Sequence, residues 1–387
     1  VSAPIDSILF ASFGGPETLD DVMPFLRNVT RGRGIPDERL EEVSHHYRAL
    51  GGKSPINDQN KDLIARLEKA LAARGIDLPV YWGNRNWEPY VNDTVKQMHA
   101  DGHRHALGLV TSAYSSYSSC RQYREDFGLA LQANDLKGEF EISKARVYFN
   151  HPGFLDPVVD SVRGAIADLE ADGHERSAID VLFSTHSIPN TMADTSGPRD
   201  TWEEGSGGWY VKQHQAAIDY VIEKADASDV PHQLVYQSRS GPAHIPWLEP
   251  DINDVIEGLE GRTAVIVVPI GFVTDHVEVV WDLDTEAKET AEEKGLAFIR
   301  VPTSGSSDRF VEALVDLVEE RVNGAEPTIA VGRDIQCGDV CGAGCCPNAR
   351  AIQRTTSGVD SEEDWEKAGE PSELALMIRA KREGAGR

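Results

Sequence analysis

Short apolar runs alternate with segments of helical period along most of the chain. Residues 8–13 form an apolar run ending at Gly14-Gly15-Pro16, which predicts a strand entering a turn. Residues 17–28 have helical period. Pro36-Asp37 opens a second helix carrying Leu40, Val43 and Tyr47, and Gly51-Gly52 stops it. Residues 58–74 place Leu63, Leu67, Ala70 and Leu71 on one face of a long helix closed by Gly75. Further strands are predicted at 80–82, 106–111, 145–149, 179–184, 233–236, 264–270 and 296–301, with helical patterns between most of them. Strands separated by helices imply right-handed crossovers and parallel sheets, so the chain reads as α/β.

The spacing suggests two similar halves, residues 1–170 and 171–325, with Ala171-Asp172-Gly173-His174 at the boundary. Residues 326–387 differ in character. They hold a cysteine cluster, then a Ser/Thr/Glu-rich stretch at 355–373 that is expected to be loosely ordered, then a short helical pattern at 374–381.

Charge narrows the function. The 387 residues carry 38 Lys and Arg against 64 Asp and Glu, a net charge of −26. This argues against a general nucleic-acid binder and against an anionic membrane surface as main partner. An anionic small ligand stays open, because one local Arg pair can dominate a pocket. No apolar run approaches the roughly 20 residues that span a bilayer. The first thirteen residues lack a basic segment and a long apolar segment, so they read as a strand and the expected location is the cytoplasm.

Five constellations carry possible chemistry. Residues 182–189 run a hydrophobic strand straight into His186, at the strand end where open α/β sheets bind ligands; a structural histidine is the alternative. Residues 269–286 end another strand and begin a helix with Glu278, Asp282 and Glu286 spaced by four. At roughly 3.6 residues per turn these carboxylates line one helix edge, and an underwound helix aligns them better. A solvated acidic face is the plain alternative. Val277, Val279, Val280 and Trp281 argue against it, because buried carboxylates in a row need cations or protons. Arg31 and Arg33 sit in the Gly-containing loop 28–34, suited to a carboxylate or phosphate, or simply on the surface. Residues 112–123 put hydroxyls and tyrosines at a strand end, fitting an aromatic, polar-edged ligand or a capped helix start. Cys337, Cys341, Cys345 and Cys346 fall within ten residues, and Cys120 is the fifth cysteine. A zinc ion or an iron–sulfur cluster suits such a group better than disulfides.

Several of these residues also form motifs. Phe10-Ala-Ser-Phe-Gly-Gly-Pro-Glu-Thr-Leu-Asp-Asp-Val, Tyr47-Arg-Ala-Leu-Gly-Gly-Lys-Ser-Pro-Ile, Ser184-Thr-His-Ser-Ile-Pro, Tyr236-Gln-Ser-Arg-Ser-Gly-Pro and Gly271-Phe-Val-Thr-Asp-His-Val-Glu occur in this order. Together they resemble ferrochelatase over about residues 5–325, and the acidic chain with its cysteine tail looks most like the actinobacterial branch. The resemblance implies a lyase-class chelatase of heme biosynthesis that inserts Fe2+ into a porphyrin. It implies two Rossmann-like halves, each a parallel sheet flanked by helices, with the macrocycle between them and a cysteine-bearing extension.

It carries His186 over as the histidine at the metal-insertion face and Glu278 as its partner, with Asp282 and Glu286 behind them as a metal path. In this branch the porphyrin is coproporphyrin III and the product coproheme. Protoporphyrin IX is the alternative substrate. A non-catalytic tetrapyrrole or metal carrier, and a cobalt or nickel chelatase, are the alternative functions. Arg31, Ser54 and Tyr123 fall where the family meets the ring or its propionates. Phe13 stands where some relatives have tyrosine, and phenylalanine cannot ligate iron. The resemblance also implies a [2Fe–2S] cluster on Cys120 and three tail cysteines, taken as Cys337, Cys341 and Cys346 with Cys345 spare. A soluble monomer is implied, with the downstream heme-synthesis enzyme as a possible partner.

Overall fold

The computed structural model describes residues 4–32 and 34–385; Arg33 of the basic loop and residues 1–3 lie outside them. Eight strands form two four-stranded sheets. β1 (Ser7–Ser12), β2 (Val80–Asn84), β3 (His105–Val110) and β4 (Glu141–Lys144) pair in the order β2-β1-β3-β4, all parallel. β5 (Ile179–His186), β6 (His232–Gln237), β7 (Ala264–Val268) and β8 (Ala297–Arg300) repeat that order as β6-β5-β7-β8, again all parallel. The two sheets therefore share a topology without sharing a sequence repeat. Parallel strands are covered on both faces, which is why β1 and β7 read as continuous apolar runs, buried at every position.

In each sheet the chain steps from the first strand to one side and then returns to the other. The direction of winding reverses between β1 and β3, and again between β5 and β7. Crevices open at the carboxyl ends of such strand pairs. Phe13 and the segment 111–117 leave the first crevice. His186 and the segment 269–278 leave the second.

Two long helices cross between the halves. Pro152–Ala171 precedes β5 in the chain but packs against β7 and the helix Gly208–Lys224. Asp308–Val322 follows β8 but returns to pack on Ile56–Ala73 and β3. Leu63, Leu67 and Leu71 make the apolar stripe of Ile56–Ala73, all buried. Arg74 at its end pairs with Glu312, Asp316 and Glu319 across this junction. One apolar cluster consequently contains Phe10 and Leu109 of the first sheet, Val181 and Ile266 of the second, and three tail cysteines.

Two expectations need correction. The apolar run 145–149 is not a strand: β4 ends at Lys144, and the amides of Tyr148 and Phe149 both turn to the Ala113 carbonyl. The run is apolar because it is buried core, not because it is extended. The 355–373 stretch is ordered. It contains the helix Ser361–Glu366, and Thr355 and Asp364 are buried against Arg121 and Arg124. Composition alone missed this, since the ordering charges belong to a helix more than two hundred residues earlier. Among the described residues, no helix is long and apolar enough to cross a membrane.

Candidate active site

β5 is buried along its length until His186, the first side chain to emerge. The His186 Nδ1 faces the Ser187 carbonyl. A carbonyl can only accept, so Nδ1 carries the proton and Nε2 presents its lone pair. Nε2 lies 3.8 Å from Glu278 Oε2, and the two side chains are 35% and 45% exposed. A lone pair and a carboxylate oxygen thus face one accessible point.

Glu278 is delivered by a close approach of backbones. A Cβ at Gly271 would sit 2.1 Å from Thr185 Oγ1, so glycine lets the segment after β7 lie against the residue before His186. After Val277–Val279 the chain widens into a π-helical turn, Val280–Ala287. This is the underwound helix that favours carboxylates spaced by four, and such turns recur at functional sites. Val277, Val279 and Leu283 face the core while the acids face away.

The three acids differ in setting. Asp282 Oδ2 accepts from Gln237 Nε2 at 3.2 Å and from the Ser238 hydroxyl. Gln237 in turn accepts from Ser184 at 2.7 Å. Burial pushes the Asp282 carboxyl up to about 7, against these hydrogen bonds and with the Glu278 and Glu286 charges adding to the rise. Glu286 is exposed and accepts from Trp281 Nε1 at 2.8 Å, while the Trp281 ring stacks on His46 at 4.4 Å. The row therefore runs from solvent, through an acid that titrates near neutrality, to the His186–Glu278 pair.

A pH dependence follows. With its carboxyl raised to about 7, Asp282 gains charge as pH rises through that value, so any cation held by the row should bind more tightly there. We expect divalent-cation binding, measured with Co2+, to show a limb near pH 7 that Asp282→Asn flattens; an unchanged profile in the variant would exclude Asp282 as a ligand. The stability term has the opposite sense. A carboxyl raised in the folded state stabilises fully at acid pH, and that contribution is lost as pH rises through about 7.

Sequence reasoning missed the groups that brace this row. Arg300 forks onto Asp284 at 2.8 and 2.7 Å and reaches Asp275 at 3.1 Å, tying the middle of the acid-bearing turn to the segment that leads into it. Gln59 accepts from the Asp275 amide at 2.8 Å from across the molecule. Buried Tyr47 has its hydroxyl pKa pushed up by burial and by the charges of Glu278 and Asp282. No periodicity announces such partners.

The four expected porphyrin contacts divide. Phe13 is 38% exposed and meets Phe25 edge-on at 6.2 Å. Arg31 is exposed, with Nη2 anchored on Asn28 Oδ1 at 2.6 Å. Ser54 is buried beneath Gly15, its amide on the Pro16 carbonyl at 2.9 Å. Tyr123 is also buried, and the Arg85 guanidinium covers its ring at 4.2 Å. Phe25 and Tyr47 pack with Val277, so this apolar wall abuts the residue next to Glu278.

The ferrochelatase family model matches residues 6–322. The chain belongs to the ferrochelatase family. It is 53% identical over 365 residues to the coproporphyrin III ferrochelatase of Leifsonia xyli, covering 90% of this chain and 93% of the relative. It is 53% identical over 372 residues to that of Streptomyces coelicolor, covering 93% and 98%. The Mycolicibacterium smegmatis relative, also a coproporphyrin III ferrochelatase, is 46% identical over 356 residues, covering 89% and 99%.

Beyond the family match at residue 322 lies the cysteine tail of this ferrochelatase family member. All five thiols are free. The Sγ atoms of Cys337, Cys341 and Cys345 lie within 4.8 Å of one another. Cys120, on the turn Tyr117–Arg121, lines the same small cavity as Cys337, Cys341 and Cys345. Cys346 Sγ lies 3.7 Å from Cys345 Sγ and accepts the Gly197 amide at 3.3 Å. The structure thus seats Cys345, left spare by the sequence reading, within the three-sulfur group. Buried Lys144 lines the same cavity and donates to the Ala145 carbonyl at 2.9 Å, and it and wholly buried Arg124 act on Cys120 and Cys341 by charge. Soft sulfur donors backed by buried cations fit an anionic metal–thiolate group.

Proposed function

We propose that this chain inserts Fe2+ into coproporphyrin III, giving coproheme, a lyase-type step of heme biosynthesis. The observation that carries the reading is the His186–Glu278 pair at the reversal point of the second sheet. Insertion must remove two pyrrole N–H protons and deliver one cation. The Nε2 lone pair of His186 accepts a proton, and the Glu278 carboxylate accepts the other or holds the arriving ion. Asp282 and Glu286 supply oxygen ligands along the approach. Phe13 and Arg31 offer an apolar face and a carboxylate-binding guanidinium for ring and propionate. Ser54, packed against Gly15, and Tyr123, behind Arg85, are buried and take part as supports of the first half's ring-binding loops.

The reading takes residues 1–170 as the porphyrin-binding half, 171–325 as the metal-insertion half and 326–387 as the cysteine extension. The test is anaerobic Fe2+ insertion into coproporphyrin III and protoporphyrin IX, followed by visible absorption. Faster loss of the free-base coproporphyrin spectrum supports the proposal. A preference for protoporphyrin overturns the substrate, and binding without insertion favours a carrier.

The cysteine group is read as a [2Fe–2S] site held by Cys120 and three of the four tail cysteines, with Cys337, Cys341 and Cys345 favoured by their mutual distances. Such a cluster, when bound, supplies one-electron chemistry and joins the tail to the first half. We expect a brown protein whose absorption above 400 nm Cys120→Ser abolishes. A colourless, zinc-loaded protein made under good iron supply would refute this.

A further inference from the structure

We propose that a buried column of three rings, Tyr114, His214 and Tyr210, fixes the spacing of His186 and Glu278, with Tyr210 as a positioning residue for iron insertion. The proposal rests on the reading of that pair given above. At 3.8 Å the pair is too far apart for a hydrogen bond of its own, and on its other face the His186 ring donates from Nδ1 to the neighbouring Ser187 backbone carbonyl. The spacing is therefore held through the backbones behind the two side chains.

The column reaches both of those backbones. Tyr210 Oη donates to the His186 carbonyl at 2.8 Å and lies 2.9 Å from Thr185 Oγ1. A hydroxyl has one proton, so Thr185 is the donor in the second bond. Thr185 is the residue that Gly271 packs against on the way to Glu278. At the other end, Tyr114 Oη donates to the Ile270 carbonyl, next to Gly271, at 3.0 Å. Between the ends, Tyr114 stacks on His214 with centroids 3.6 Å apart and planes 10° apart, and His214 meets Tyr210 edge-on at 4.5 Å. The rings span the carboxyl ends of β5 and β7, the adjacent strands that deliver His186 and Glu278.

The column is not ordinary core. His214 is fully buried, and its Nδ1 donates to the Tyr210 carbonyl at 2.7 Å. Its Nε2 is buried without a hydrogen-bond partner, and burial holds the ring neutral with a pKa near 3. An apolar ring would fill this space without the cost of an orphaned nitrogen. What the imidazole adds is a fixed turn at Tyr210 and a flat face for Tyr114. Tyr114 comes from the first half, so the column also registers that half against the pair. Gln213 secures the same junction, accepting from the Ser115 amide at 2.7 Å and donating to its hydroxyl at 3.0 Å.

The test compares three Tyr→Phe variants with His186→Ala. Tyr210→Phe keeps the ring and loses the hydroxyl. Its kcat for iron insertion should fall roughly tenfold, as small misplacements of reacting groups do, while KM and fluorescence-measured Kd for coproporphyrin III stay within about twofold. Tyr114→Phe should shift kcat in the same direction. Tyr148→Phe is the control: this buried hydroxyl also donates to a strand-end carbonyl, Val110 at 2.7 Å, and among the described residues makes no hydrogen bond to Thr185, His186 or Ile270. It should lose stability and keep kcat. Parent kcat in Tyr210→Phe, or an equal fall in Tyr148→Phe, overturns the column. If His186→Ala inserts iron at the parent rate, the reading of the pair falls and the column with it. If His186→Ala is inert while Tyr210→Phe is unimpaired, the column alone falls.

Discussion

His186→Ala should bind coproporphyrin III with near-parent affinity and insert Fe2+ roughly a hundred to ten thousand times more slowly, the usual worth of a positioned base. The side chain stands at the mouth of its strand, with Nδ1 committed to the Ser187 carbonyl and Nε2 free towards Glu278. Alanine removes the lone pair and leaves the buried part of β5 as it was. The apolar wall around Phe25 and Tyr47 does not include His186, so ring binding should survive. Fluorescence quenching measures the ring, and anaerobic absorption measures insertion. A variant that binds weakly but inserts normally once saturated would assign His186 to substrate binding.

Arg124→Ala should destabilise the protein by about 3–5 kcal/mol, the usual cost of stripping one partner from a buried ion pair. Arg124 is wholly buried. Its Nη2 donates to Asp360 Oδ1 at 2.8 Å, and its Nε donates to the Thr356 carbonyl at 2.7 Å. A Cβ at Gly358 would lie 1.8 Å from Nη2, so the tail is moulded around this guanidinium. Arg121 adds Asp364 at 2.9 Å. Burial raises the Asp360 carboxyl, but Arg124 and Arg121 outweigh it and the net direction is down. A depressed carboxyl stabilises above its unfolded value, and the contribution is lost as pH falls, so acid should mimic the substitution. Urea unfolding gives the energy, and amide exchange over 341–366 gives the location. A loss below about 1 kcal/mol, with exchange unchanged, would show that the tail holds without this pair.

Parts of this site were legible because they are local. A strand ending in His186 and acids spaced by four are patterns within a few residues. The central strands were legible for the same reason, since β1, β3, β5 and β7 are buried almost throughout, whereas the edge strand β4, with Glu141 and Lys144 in it, was not. The run 145–149 shows the limit: burial and extension leave the same apolar trace, and only hydrogen bonding separates them. Tyr114, Tyr210, Arg300 and Gln59 were illegible as partners of the site because each meets it across a long stretch of chain. The order of 355–373 was illegible because Arg121 and Arg124 supply it from elsewhere. The choice between Cys345 and Cys346 depends on a single step of backbone, with Cys346 in the left-handed region at φ 52°.

The crossed helices Pro152–Ala171 and Asp308–Val322 bear on how this molecule can come apart. A cut near residue 172 would leave each fragment short of a cover. The first would keep Pro152–Ala171 with its stripe from Phe154 to Leu169 bare, and Ile56–Ala73 would lose the helix that packs on it. The second would carry Asp308–Val322 with Phe310, Leu314 and Leu317 facing water. Neither fragment can bury its own surface, so the two sheets should melt in one transition. The halves are a repeated topology but a single cooperative unit, and a cleft between them can flex without either side folding or unfolding alone.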